Sequence, residues 1–308
     1  MGWRHFEFTV PENWDITMEG QAGKVFYFRV VDPYRPQLEV NWEKIPFEKA
    51  MLPEDMLKKY REELDKKLSE FSKKGVDVKA RHVSKEEVKI HGHDGILWIY
   101  SIRGDKVAAA FWYCEKSERA VTLVFTPEKL DIDLVKRILA GFKCHYNPGE
   151  KALWSLLLLN LYLPTDLRLI LAKFTTAHSI AVFKRPDEYF YIGIGYSGIA
   201  NVILAKYRNS AKRWFDKTLR KEISKSIRVQ IPSPKYKEED GVLSFKGESF
   251  AIPSSRKKVF KGQIWLDRRI GRFLVLTAIY EKRYEEEIGE VLSDLKRQLE
   301  ASSAFTVI

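Results

Sequence analysis

Cysteine is scarce in this chain, 2 in 308 residues. That excludes the disulfide framework of a small secreted domain. Cys114 and Cys144 read as two reduced thiols, a single bridge between them being the alternative. Long apolar runs are also missing. The longest, residues 153–163, is interrupted by Ser155 and Asn160 and falls well short of the ~20 residues of a membrane-spanning helix. The first residues, Met1-Gly2-Trp3-Arg4-His5-Phe6-Glu7, lack the apolar core of a signal peptide, and Phe6 stands where a myristoylation signal needs Ser or Thr. A cytoplasmic protein is expected. Few Asn, Gln and Cys beside 31% charged residues fit a thermophilic source. No Walker loop, Ser-His-Asp nucleophile motif or zinc-finger ligand spacing occurs, so no catalytic residue and no cofactor is assigned, and a binding protein is expected rather than an enzyme.

What is present is a repeat. Pro11 and Pro33 recur as Pro164 and Pro186, and Trp112 and Arg119 as Trp265 and Arg272, each 153 residues on. The pattern Val135, Ile138, Leu139, Phe142, Lys143 recurs as Ile288, Val291, Leu292, Leu295, Lys296 at the same separation. Two domains are expected, residues 1–146 and 151–308, joined through the turn signal Asn147-Pro148-Gly149 in a linker from His145 to Glu150. The copies differ in charge: residues 1–150 hold 25 Lys+Arg and 25 Asp+Glu, and residues 151–308 hold 28 and 17. The whole formal +11 lies in the second copy.

Each copy carries the same order of elements. Two-residue alternation at 6–10, 25–31 and 38–42 predicts half-buried strands. A helix follows: Leu57, Tyr60, Leu64, Leu68 and Phe71 share one face, with Pro53 and Glu54 at its start and Gly75 past its end. The second copy matches it with Ile203, Tyr207, Ala211, Trp214 and Phe215 in one long helix over 199–225. Further strands are predicted at 96–102, 107–114 and 120–125, and at 247–252, 260–266 and 272–279. A closing helix opens at Thr126-Pro127-Glu128, with a hydroxyl able to cap, a first-turn proline and an acid near the positive dipole end. Strands outnumber helices and join through short turns, which predicts mainly antiparallel sheets in an α+β fold.

This order, with Val10-Pro11-Glu12-Asn13-Trp14 after the first strand and Ile138-Leu139-Ala140-Gly141-Phe142 in the closing helix, resembles the Mog1/PsbP-like sandwich family over nearly all of both copies. The second copy departs from the pattern at Leu167, where the first has Trp14. The resemblance implies a binding or assembly protein, since Mog1 engages a small GTPase and PsbP docks on photosystem II. No functional position matches, so neither partner carries over.

Three constellations could carry chemistry. Gly193-Ile194-Gly195-Tyr196-Ser197-Gly198 fits the GxGxxG fingerprint, in which Gly193, Gly195 and Gly198 would let a pyrophosphate approach a helix N-terminus, with Asp216 near the ribose-binding distance. Against it, glycines at alternate strand positions simply leave one face bare. His91-Gly92-His93-Asp94 could present two imidazoles and a carboxylate to a metal, with His82 or Cys114 as a further ligand. The bland reading is a hairpin turn at Asp94-Gly95. His5 and His178 read as structural histidines within strands.

The third is the basic surface. The second-copy helix carries Lys206, Arg208, Lys212, Arg213, Lys217, Arg220, Lys221, Lys225 and Arg228 against Asp216 and Glu222. Two more clusters, Arg256-Lys257-Lys258 with Lys261 and Arg268-Arg269 with Arg272, flank nearby strands. Such a surface could bind nucleic acid, an anionic membrane or an acidic protein, and Trp214 and Phe215 could stack bases. A solvated charged face is the plain alternative. The leading expectation is a non-enzymatic binding or assembly protein whose second copy engages an acidic partner or polyanion. An enzyme or nucleotide-binding protein using an inter-copy cleft near Gly193–Gly198 is the alternative, and the apolar tail 304–308 adding to a neighbouring sheet edge is a third reading.

Overall fold

Two antiparallel sheets, one in each of two units, Met1–Pro148 and Gly149–Ile308, combine strands of alternating burial, as at 25–31, with inner strands buried on both faces, as at 190–198 and 273–280. The computed structural model describes residues 1–73, 78–156, 159–251 and 257–302. In the first unit a short hairpin, β1 (Gly2–Trp3) and β2 (Phe6–Glu7), precedes β3 (Asp15–Ala22), β4 (Val25–Val31) and β5 (Pro36–Lys44). Helix α1 (Pro53–Ser72) follows, then β6 (Ala80–Ile90), β7 (His93–Ile102), β8 (Asp105–Cys114), β9 (Arg119–Phe125) and helix α2 (Ile132–Ala140). The sheet order is β3-β4-β5-β9-β8-β7-β6, every pair antiparallel.

The period of two in β8 assigns its faces. Ala109, Phe111 and Tyr113 pack with Met56 and Leu57 of α1. The intervening Trp112 meets Phe142, the second residue past α2, edge-on, and Phe142 stacks on Phe8. Burying such aromatic bodies contributes roughly 1.5–3 kcal/mol each relative to exposure. Cys114 follows the Trp112 face and is fully buried. Pro53 starts α1, while α2 opens not at Thr126-Pro127-Glu128 but at Ile132, where Asp131 caps it by accepting from the Leu134 amide at 3.0 Å. The expected stop at Gly75 lies outside the described residues.

In the second unit β10 (Lys151–Leu156) and β11 (Leu159–Pro164) form a hairpin, followed by β12 (Arg168–Phe174), β13 (His178–Lys184) and β14 (Phe190–Ile199). Helices α3 (Ala200–Lys206), α4 (Ala211–Lys217) and α5 (Leu219–Ser226) come next. After them come β15 (Val229–Gln230), β16 (Lys235–Glu239), β17 (Val242–Ala251), β18 (Lys257–Asp267), β19 (Arg272–Tyr280) and helix α6 (Glu285–Ser302). The order is β12-β13-β14-β19-β18-β17-β15, with β16 also on β17. In both sheets the third strand of the set pairs with the last. β4 and β13, at 25–31 and 178–184, correspond end to end at the 153-residue separation seen in the sequence.

Three short helices replace the single long helix read over 199–225. Arg208 and Asn209 take positive φ of 55°, which ends α3, and Ser210 caps α4 by accepting from the Arg213 amide. Trp214 and Phe215 are fully buried against Phe245, Phe260 and Phe273, so they are core and not base-stacking platforms. The N-terminal strand read over 6–10 is reduced to the Phe6–Glu7 pair.

Candidate metal centre

Three chain segments bring imidazoles and thiols together in the first unit. The first is the β6–β7 connection, a two-residue turn in which His91 has φ 51° and Gly92 φ 84°, the paired positive values a tight hairpin requires. Ile90 and His93 pair across it. The expected turn at Asp94-Gly95 is therefore displaced: Gly95 sits inside β7 opposite Trp112, where an added Cβ would come 3.0 Å from the Phe111 carbonyl. The second segment is the end of β8, with Cys114 on the Trp112 face. The third follows α2, where Glu7 and Lys143 exchange backbone hydrogen bonds of 2.9 and 2.7 Å. That bridge directs Cys144 and His145 inward, and both are buried.

His91, His93, Cys144 and His145 each offer a donor atom, all four atoms lying within 4.8 Å of one another. His145 Nδ1 is central: it lies 3.4 Å from His93 Nε2, 3.4 Å from Cys114 Sγ and 3.5 Å from Cys144 Sγ. Cys144 Sγ is 3.6 Å from His91 Nδ1. With Zn–N near 2.0–2.1 Å and Zn–S near 2.3 Å, the edges of a tetrahedral site measure roughly 3.3–3.8 Å. The four separations just given lie in that range, while the His91, His93, Cys144 and His145 donors as a set lie within the wider limit of 4.8 Å.

The electrostatics favour the ligand-competent forms of His91 and Cys114. Burial, then the neighbouring His145 and His93, hold His91 below the usual imidazole range, so it is neutral at neutral pH. The two thiols, both free, behave as a pair. The neighbouring Cys144 thiol favours the thiolate of Cys114 against the cost of its burial, while Cys144 is pushed up as it retains its proton. The cluster suits a borderline-soft ion such as zinc, which takes mixed thiolate and imidazole donors.

Of the residues singled out from the sequence, His91, His93 and Cys114 meet here, while His82 and Asp94 do not. His82 Nδ1 accepts from the Trp98 indole at 3.0 Å, and Asp94 pairs with Lys89. Cys144 and His145 were missed as ligands, His145 having been read as linker. The available signal was the adjacent Cys-His pair, in the same copy as the other cysteine. His5 takes positive φ between β1 and β2 and lies edge-on to Tyr146, while His178 opens β13.

The glycine motif belongs to a strand and not to a phosphate loop. Gly193 and Gly195 lie inside β14 between β13 and β19. An added Cβ would meet Thr277 Oγ1 at 2.4 Å from Gly193, the Ser179 carbonyl at 2.7 Å from Gly195 and the Thr176 carbonyl at 2.6 Å from Gly198. Close approach of backbone at Gly195 and Gly198, and of the Thr277 side chain at Gly193, explains the glycines, and the helix after them has only 7 residues. Asp216, the candidate ribose ligand, accepts from Arg220 and Tyr236 instead.

The basic residues divide into two groups. Arg220 is tied to Asp216 and the Ile231 carbonyl, Lys258 to Glu281 and Lys257 to Glu248. Arg269 binds Asp267, and Arg272 donates to the Ser197 carbonyl. These five serve the fold. Lys206, Arg208, Lys212, Arg213, Lys217, Lys221, Lys225 and Arg228 are exposed on and beside α3–α5, and Arg268 is exposed on the β18–β19 turn. Arg256 and the tail 304–308 lie outside the described residues.

No protein-family model matches the chain, and no curated protein matches its sequence. Among solved structures, the cyanobacterial PsbP (CyanoP) from Synechocystis matches 46% of this chain and 87% of its own at 15% identity and TM-score 0.35. A Bacteroides thetaiotaomicron protein matches 48% and 49% at 12% identity and TM-score 0.26. MucB, solved in complex with MucA, matches 96% and 85% at 8% identity and TM-score 0.18. Among the described residues no helix is long and apolar enough to cross a membrane.

Proposed function

We propose that this chain is a non-enzymatic binding protein made of two copies of one PsbP-like α+β unit, the first holding a zinc-like transition metal. The observation that carries the metal reading is the set of imidazole and thiol donors at tetrahedral separations around His145 Nδ1. Five candidate donors for four positions make a closed site, the kind that contributes folding energy, and not one with an open position for substrate. Duplication is supported by the shared strand order and the unshifted β4–β13 correspondence. The matching hairpin turn of the second unit is Asp240-Gly241, with Glu239 opposite Val242, Asp267 ends β18 where Cys114 ends β8, and residues 151–308 hold no cysteine, so the metal belongs to the first copy alone.

The test is metal analysis of the purified full chain, followed by cobalt substitution. Stoichiometric metal and a thiolate-to-cobalt charge-transfer band, both lost in Cys144→Ala, are expected. A metal-free protein that takes up no cobalt would overturn the reading.

A second reading rests on the exposed cations of α3–α5. Asp216 and Glu222, the acids of that segment, are engaged by Arg220 and Lys173, which leaves the exposed lysines and arginines to face solvent as a basic patch. An acidic protein or a polyanion is the partner this patch suits, through phosphate or carboxylate neutralisation.

A further inference from the structure

Between the open face of β16–β19 and helix α6, the second unit has a cleft of ≈ 560 Å³. Its cations are Lys235, Lys237, Lys246, Lys261 and Lys296, and no Asp or Glu lines it. Strand register makes the convergence systematic: Lys235 pairs opposite Lys246, and Lys246 opposite Lys261. Three adjacent strands thus present ammonium groups on one face, where like charges directly opposite destabilise a sheet.

Lys237 pairs with Glu239 and Lys296 lies 4.0 Å from Glu300, while the compensation for Lys246 and Lys261 is Glu285, and it is divided. Its carboxylate lies 3.4 Å from Lys246 Nζ and 3.3 Å from Lys261 Nζ, and it accepts from the Tyr280 hydroxyl at 2.8 Å. Lys261 and Lys296 are more than two-thirds buried at the side chain and lie over the Tyr280 and Trp265 rings. Aromatic faces of this kind hold cations in place. Neutral donors, Gln263, Ser244 and Ser293, stand among them. The α6 side is open at Gly289, where an added Cβ would meet nothing within 4 Å. A cleft with several placed cations, neutral donors and room for a small molecule has the makings of an anion site.

We propose that this cleft binds a small organic anion bearing two or more phosphate or carboxylate charges, through Lys235, Lys246, Lys261 and Lys296. The site is independent of both the metal centre and the basic helices.

The experiment is isothermal titration of the full chain with inorganic tripolyphosphate and with adenosine triphosphate, adenosine being the neutral control, across a salt series. Both anions are expected to bind and adenosine not. The double variant Lys246→Gln, Lys261→Gln should weaken binding by about ten-fold or more and flatten the salt dependence. Gly289→Leu replaces a poor helix former with a good one, so it should fold at least as well by thermal melt while its side chain fills the cleft and abolishes binding. Lys212→Gln, Arg213→Gln, Lys217→Gln should bind as the parent does. Binding unchanged by both cleft variants, or lost on changing only the basic helices, would overturn the proposal. So would binding to a nucleic-acid oligomer alone, indifferent to Gly289→Leu.

Discussion

A metal held by His93, His145, Cys114, Cys144 or His91 makes the stability of the first unit a function of free metal concentration. An ion that binds only the folded state at a thousand times its dissociation constant contributes about 4 kcal/mol. For a domain of this size 1 kcal/mol moves the midpoint by roughly 2–4 °C, so stripping the metal should lower the metal-sensitive transition by roughly 8–16 °C. Differential scanning calorimetry of the full chain, after exhaustive chelation and again after zinc is restored, measures this directly. The alternative is that imidazoles and thiols merely hydrogen-bond one another as a polar core. The variant His145→Gln separates the two: under the metal reading it removes the zinc-dependent increment, whereas in a hydrogen-bonded core it costs the same with chelator or with zinc. A midpoint indifferent to both, in a protein that retains no metal, refutes the reasoning.

Other consequences are open to test. His178 has both ring nitrogens buried without a hydrogen-bond partner among the described residues, and burial, then Lys173, lowers its pKa. The unfolded chain then binds the proton more readily, so His178 contributes stability that is intact above about pH 6.5 and is lost as pH falls below it; the decline should flatten in His178→Gln. Gly195→Ala should cost about 1–3 kcal/mol in denaturant unfolding, because its methyl must displace the Ser179 backbone, and it should leave nucleotide binding where it was. Gly262→Ala, whose Cβ would lie 2.2 Å from the Leu276 carbonyl, should cost about 3 kcal/mol or more. If the patch on α3–α5 meets a polyanion, heparin retention should fall when Lys212, Arg213 and Lys217 become Gln. Unchanged retention would return those charges to a solvation role.

The sheets were readable because alternation is a local property. β4, which alternates, was bounded to the residue, and β7, β8 and β9, whose apolar runs are largely buried on both faces, to within a few residues. The broken helix was less so, because the pattern of Ile203, Tyr207, Ala211 and Trp214 survives the interruption. Only Asn209-Ser210, one residue tolerant of positive φ followed by a capping hydroxyl, marks the break. Three of the five candidate donors were visible as His91, His93 and Cys114. Cys144 and His145 lie 51 and 52 residues beyond His93, as their numbers show, and what aims them inward is the pairing of Lys143 with Glu7, which no local pattern announces. The glycine motif misled for the opposite reason: its spacing is local, while its cause is the carbonyl of a neighbouring strand.

The Glu7–Lys143 bridge also has a meaning in time. Cys144 and His145 take their places only when the first residues of the unit have met its last ones, a closure that spans nearly the whole of that unit. During synthesis, when domains fold from the N-terminal end as the chain lengthens, the donor set can close as soon as Pro148 is clear of the ribosome. Metal capture would then act as a latch on a finished first unit while the second is still being made.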